Sequence, residues 1–224
     1  MGLRTSYCLQ VPAGSALSEA LRSAGAEAKA KRYEAAILQQ RRALHLCAGA
    51  DLHPGEVVVV ELTLASYQLH VAVSDPSRAE EAAVTLLSVI RGTRLHGMDH
   101  ERIQAEMGLA TARSLQRRHA DAAEAYLNAA SVAKQVEEPL VVGEFLRCSA
   151  DALFEDGQRS RAVLRWRAAL GYLLDPAEVP TLEILDDVEV LTHLQAACRR
   201  LGLNRVVRRY EDVLARLVLL PGTN

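Results

Sequence analysis

The sequence predicts an all-α protein, a solenoid of about five antiparallel helix pairs. Three observations predict it. Apolar residues recur at helical spacing, as in Leu146, Ala150, Leu153 and Phe154, and again in Ala162, Trp166, Ala169 and Leu170. Prolines and glycines fall between these runs and divide the chain into helix-length pieces. Small residues return at matched places along the chain, the mark of stacked units that share one core.

In chain order the spacing predicts helices over 15–30, 33–48, 55–74, 77–91, 99–117, 119–136, 139–156, 158–174, 183–201 and 203–219. Pro12 precedes the first. Pro54, Pro76 and Pro139 stand where a proline opens a helix, its fixed φ and missing N–H costing nothing in the first turn. Pro176 and Pro180 bracket a connection, and Pro221 ends the last helix. Gly49, Gly55, Gly92, Gly97, Gly157 and Gly202 mark turns. The β-branched run Val57–Val60 and the partial alternation after it also suit a strand. A helix fits better, because Val58, Leu62, Ala65, Leu69, Ala72 and Val73 form one continuous face, and the piece between Pro54 and Pro76 is long for a strand.

The 224 residues are half apolar and 24% charged, the balance of a soluble globular chain with a sizeable core. Basic and acidic side chains number 26 and 28, a net charge of −2 spread along the chain. That balance argues against electrostatic steering of nucleic acid by the whole molecule. No signal-peptide pattern opens the chain, and no apolar run approaches a membrane span of roughly 18 residues. Cys8, Cys47, Cys148 and Cys198 are dispersed and form no C-x-x-C pair, which reads as reduced thiols in a cytoplasmic protein. Met1-Gly2-Leu3-Arg4-Thr5-Ser6 fits the N-myristoylation pattern, with Cys8 as a second acylation site; a polar tail over 1–14 is the plainer reading.

Segments align on an alanine early in the second helix of each pair: Ala36, Ala82, Ala123 and Ala162, with Val207 in the fifth. Seven residues on stand Ala43, Val89, Ala130, Ala169 and Leu214; twelve residues before the first and fourth anchors stand Ala24 and Ala150. Antiparallel helices on a short turn approach closely only where the crossing lacks bulk. The pattern resembles the tetratricopeptide repeat (TPR), most clearly at Ala24, Tyr33, Ala36 and Ala43 and at Ala150, Gly157, Ala162 and Ala169. It covers about residues 16–217, so that 15–220 reads as one domain. The anchors are 39 to 46 residues apart, against about 34 in a plain TPR, so longer helices or loops must absorb the difference.

The resemblance implies a right-handed superhelix whose first helices line a concave groove for a peptide or helix. Mapped residue by residue, the fourth pair offers Glu144, Arg147, Asp151, Phe154 and Glu155. The third offers Ala105, Gly108, Ala112, Leu115 and Gln116, and the first Leu21, Gly25, Ala28 and Lys29. Tyr67, Gln68 and His70 are near the equivalent rows of the second. The lysine and asparagine clamp by which some TPR cochaperones hold a C-terminal carboxylate is absent, since Leu21, Gly25, Arg147 and Asp151 stand in its places. For Tyr67, Leu115 and Phe154, packing between repeats is an equally good account.

No nucleophile elbow, P-loop or dinucleotide fingerprint is present. His96 and His100 have the four-residue spacing of a metal pair, but Gly97 interrupts them and places His96 in a turn before a helix that opens at Asp99. Arg199, Arg200, Arg205, Arg208, Arg209 and Arg216 gather near the end, with acids just before them, which suits charged capping helices better than a nucleic-acid patch. Val213, Leu214, Leu217, Val218, Leu219 and Leu220 make the last helix very apolar, either folded back on the eighth and ninth helices or open to a homodimer. The expected protein is a cytoplasmic, non-catalytic adaptor, scaffold or chaperone with no cofactor, binding a protein or peptide partner in its groove. The alternative is a helical-repeat module that senses a ligand or signalling peptide.

Overall fold

The computed structural model describes residues 14–174 and 186–219, with side chains described to Ala215. Cys8, the N-terminal acylation pattern, Pro12, Pro176, Pro180, Pro221 and the apolar run from Leu217 to Leu220 therefore lie outside the described side chains.

Ten α-helices and no strand occur among the described residues: α1 (Ala16–Lys29), α2 (Tyr33–Cys47), α3 (Pro54–Ser74), α4 (Ala79–His96), α5 (Asp99–Leu115), α6 (His119–Gln135), α7 (Pro139–Glu155), α8 (Arg159–Leu173), α9 (Asp187–Arg200) and α10 (Asn204–Leu219). Each packs on the next in chain order, and α3 also meets α5, which makes the molecule an all-α solenoid of consecutive helix pairs. Pro54 and Pro139 open α3 and α7 as predicted. Pro76 opens a single 3₁₀ turn, Pro76–Arg78, and α4 starts after it.

Two turn assignments are corrected. Gly55 lies in the first turn of α3, and Gly92 lies inside α4, which runs on to His96; Gly97, in the left-handed conformation, ends α4 as expected. Gly92 is needed because of a close approach: a Cβ there would stand 2.6 Å from Val58 Cγ2 of α3. α3 also corrects the expectation about apolar runs, since its 21 residues are long and apolar enough to cross a membrane. Here it packs between α2 and α4 and against α5, burying Val58, Val60, Leu64, Ala65 and Ala72.

Six interhelix turns share one construction. Lys31, Gly97, Arg117, Glu137, Gly157 and Gly202 all have φ between 58° and 80°. In each, the next amide donates to a carbonyl five residues back, as Gln158 N does to Leu153 O at 2.9 Å and Arg118 N to Arg113 O at 2.9 Å. This closes the orphan carbonyls of the preceding helix.

The turns set the repeat register and correct one anchor. Ala36, Ala162 and Val207 each stand five residues after their left-handed residue; after Arg117 that place is Ala122, not Ala123. With this shift the third pair shows Ala110, Ala122 and Ala129 where the first has Ala24, Ala36 and Ala43 and the fourth Ala150, Ala162 and Ala169. All nine are fully buried. Two adjacent alanines, both fully buried, made the register ambiguous in sequence.

The fifth pair differs from the others. α10 buries Val207, Tyr210 and Val213 in one cluster with Ala150, Leu153 and Trp166 of α7 and α8 and Val190 of α9. The described part of the apolar C-terminal helix is thus folded back onto its own chain.

Candidate functional site

α7 supplies the floor of the site. Glu144, Arg147, Asp151 and Glu155 recur at three- and four-residue intervals, which stacks them on one helix face. Arg147 is 4% exposed and Asp151 5%. Buried charges at such depth need complete pairing, and three helices provide it. Arg147 Nε donates to Glu144 Oε2 at 2.9 Å, and Nη1 to Asp151 Oδ2 at 2.8 Å. Asp151 Oδ1 accepts from Trp166 Nε1 of α8 and from the Tyr210 hydroxyl of α10, each at 2.9 Å. Arg209 of α10 lies 3.6 Å from Asp151 Oδ2 and 3.0 Å from Glu155 Oε1. Trp166 meets Tyr210 edge-on and Phe154 at a tilt, with centroids 6.2 and 5.5 Å apart.

Above this network a cleft of about 490 Å³ opens between α10 and the α5–α6 turn. Ser114, His119 and Tyr126 form one wall, Cys148 and Ala152 join the floor, and Arg205, Val206 and Arg209 form the other wall. Burial works against the Arg147 charge, but the Glu144 hydrogen bond and the Asp151 carboxylate outweigh it and hold the guanidinium above its ordinary range. Burial pushes the Cys148 thiol up to about 12, so it stays protonated and poorly nucleophilic at neutral pH. Burial likewise pushes Tyr126 up to about 12 and Tyr210 well above its usual value, the latter aided by Asp151.

The residues predicted for a groove separate into two groups. Arg147, Asp151 and Glu155 line the cleft, with Glu144 bound to Arg147 beside it. The others lie elsewhere. Phe154 packs on Trp166. Gln116 donates to Glu80 of α4 at 2.7 Å, and Leu115 is half-buried at the end of α5. His70 stacks on Tyr33 of α2, centroids 4.4 Å apart, and Tyr67 is half-buried on α3. Gln68 is buried and donates to Glu81 of α4. Ala105 and Ala112 are fully buried, and a Cβ on Gly108 would meet Leu86 and Leu69 at 3.0 and 3.2 Å. These three belong to the seam with α3 and α4, because the left-handed turn at Arg117 sets the third pair one residue away from the register that Ala123 implies. In the corrected register Ser114 takes the row of Phe154, and it does line the cleft. Gly25 faces open space.

In sequence His119 reads as a turn residue and Arg205 and Arg209 as capping charges, while Tyr126, Cys148 and Val206 carry no signal of a site. His96 and His100 are divided between two helices. His96 meets the His53 ring at 6.0 Å, and His100 faces Glu138 at 3.9 Å. Among the described residues no group of three or more His, Cys, Asp or Glu side chains is placed to hold a metal ion. Of the C-terminal arginines, Arg199 pairs with Glu211 and Arg209 with Asp151 and Glu155.

No protein-family model matches the sequence, and no curated protein matches it. Solved structures share the fold at low identity. BtubC (BKLC) from P. vanneervenii is 14% identical, with a TM-score of 0.58 over 90% of this chain and 81% of its own. A Signal Transduction ATPase with Numerous Domains with a tetratricopeptide repeat sensor, from Pyrococcus horikoshii, is 14% identical, with a TM-score of 0.56 over 91% of this chain and 29% of its own. A Rap protein complexed with Competence and Sporulation Factor is 13% identical, with a TM-score of 0.55 over 92% of this chain and 55% of its own. The class so defined is the helical-repeat solenoid, carrying here a cleft of mixed polar and apolar lining beside α7.

Proposed function

We propose that this chain is a non-catalytic, cytoplasmic interaction module of TPR-like type, an adaptor, scaffold or chaperone that binds a protein or peptide segment in the cleft beside α7. The observation that carries the reading is the cleft itself, walled by three successive helix pairs and lined by a mixture of apolar and polar side chains. Such concavities orient a ligand with a few polar groups and hold it by apolar contact. The buried network beneath it fixes the floor, so the surface is organised before a partner arrives. The non-catalytic reading is supported by a cleft thiol that burial keeps protonated and by a buried acid whose oxygens are engaged by Arg147, Trp166 and Tyr210.

A second reading is a module that senses a small ligand or signalling peptide. The volume of about 490 Å³, that of a small-ligand pocket, favours it, as does the tetratricopeptide repeat sensor among the similar folds. Val207, Tyr210 and Val213 of the C-terminal helix are buried in cis, so these apolar side chains are not open to a homodimer.

Capture from native lysate separates these readings, with Ser114→Tyr to fill the cleft and Leu38→Asp as a distant surface control. A partner lost only in Ser114→Tyr supports the interaction module. A metabolite retained by the wild type in native mass spectrometry, with no protein captured, supports the sensor. A partner retained equally by both variants removes the cleft as the binding site.

A further inference from the structure

We infer that the cleft receives a carboxylate of an acidic peptide segment, paired with Arg205 and hydrogen-bonded by Ser114 and His119. This rests on the cleft being the partner site. A census of its polar groups decides the sign. Asp151, the acid in the floor, is fully engaged by Arg147, Trp166 and Tyr210. Glu155, the acid at the rim, is neutralised by Arg209. Arg147 is saturated by Glu144 and Asp151 and also approaches the Cys148 sulfur at 3.2 Å. Tyr126 is held by packing, its ring stacked on Phe145 with centroids 6.5 Å apart.

What remains around the cleft is Ser114, His119 and Arg205, whose side chains have no partner among the described residues. One is a hydroxyl, one an imidazole that offers a ring N–H in either charge state, and one a permanent cation. The folded chain has thus spent its acids internally and left donors facing the space. A ligand that brings an acceptor with negative charge completes the set, and a basic ligand meets uncompensated repulsion from Arg205. The Tyr126 ring, Ala152 and Val206 supply an apolar surface for a neighbouring side chain of the same segment. A volume of about 490 Å³ holds a few residues and not a whole helix, which makes the occupant a short extended segment.

The test is fluorescence anisotropy on the full chain. The probes are fluorescein-labelled hexapeptides of leucine alternating with aspartate, with lysine or with serine. The aspartate peptide is expected to bind saturably, more weakly at high salt, while the lysine peptide does not bind. Arg205→Glu weakens it about tenfold, as losing a charged hydrogen bond does; Arg205→Lys restores most of the affinity, and Ser114→Tyr abolishes binding. Thermal melts matching the wild type establish that these surface variants are folded. Equal binding of the aspartate peptide by Arg205→Glu would overturn the proposal. Binding of the lysine or serine peptide at least as tightly, lost in Ser114→Tyr, overturns the acidic occupant and keeps the cleft as a peptide site. Displacement of the aspartate peptide by succinate at equal or lower concentration assigns the site to a small carboxylate and overturns the peptide. Failure of all three peptides overturns the acidic occupant. A lysate partner sensitive to Ser114→Tyr then still upholds the cleft, and its absence ends both readings.

Discussion

The phenol of Tyr210 donates to Oδ1 of Asp151 at 2.9 Å, across 59 positions of sequence. The same oxygen accepts the Trp166 indole N–H, so one carboxylate ties α7, α8 and α10 together. Asp151 and Tyr210 are both buried beside Arg147. Removing the acid takes one of the two carboxylates from a buried cation, leaving only Glu144, and strips the Trp166 and Tyr210 donors of their acceptor. Asp151→Ala is expected to cost about 3–5 kcal/mol, and Tyr210→Phe about 1.5–3 kcal/mol for one hydrogen bond to a charged group. Urea unfolding of both single variants and the double variant measures this. If the network acts as a unit, Tyr210→Phe costs much less in the Asp151→Ala background. Simple additivity would mean that α10 is held by apolar packing alone.

The shared turns predict stabilising changes. Lys31, Arg117 and Glu137 are exposed and adopt the left-handed conformation that glycine holds at positions 97, 157 and 202. A side chain in that region costs about 1–2 kcal/mol, and glycine returns part of the gain through the entropy of the unfolded chain. Each change to glycine should add about 0.5–1 kcal/mol. Gly157→Ala and Gly202→Ala should lose a similar amount. The midpoints of chemical unfolding decide it; a loss at all three sites would show that those side chains make contacts worth more than the strain.

Three helical glycines divide by what surrounds them. A Cβ at Gly143 would stand 2.8 Å from Leu173 Cδ2 and 2.9 Å from Tyr172 Cβ, and one at Gly92 would stand 2.6 Å from Val58 Cγ2. Overpacking at such contacts costs about 1–3 kcal/mol. At Gly25 nothing lies within 4 Å. Gly25→Ala should therefore stabilise α1 by up to about 1 kcal/mol, whereas Gly92→Ala and Gly143→Ala lower the melting temperature.

Glu106 gives the stability a pH dependence. Burial raises its carboxyl above the ordinary 4.5, against opposing contributions from Asn128, Arg94 and Arg102. The folded state then holds the proton at a pH where the unfolded chain has released it, so stability falls as pH rises from about 4.5 through the raised value. Glu106→Gln mimics the protonated form. It should match the wild type at pH 4 and exceed it at pH 7 in thermal melts. A variant less stable at pH 7 would show that the ionised Glu106 contributes more through its pairing with Arg94 than burial removes.

Helix periodicity and the proline and glycine marks sufficed for ten helices in order, because both signals are local. Alanine spacing sufficed for the pairing, since close crossings exclude bulk wherever they occur. The third register was not legible: Ala122 and Ala123 satisfy the same size rule, and only the left-handed turn at Arg117 separates them. That one-residue error moved Ala105, Gly108 and Ala112 from the interhelix seam into the expected groove.

By itself the sequence determined the all-α class, the helix order and the small residues at each crossing. Tertiary structure alone decided where the charges go. Arg147 and Asp151 read as free groove residues until Trp166 and Tyr210, 15 and 59 positions beyond Asp151, are seen to consume them. Arg205 reads as a capping charge until α10 folds over α7 and makes it the wall of a cleft. The physical reason is range. Backbone hydrogen bonds and helical periodicity act within a few residues, whereas the pairing of a buried charge depends on whichever distant side chain packing brings within 3 Å of it.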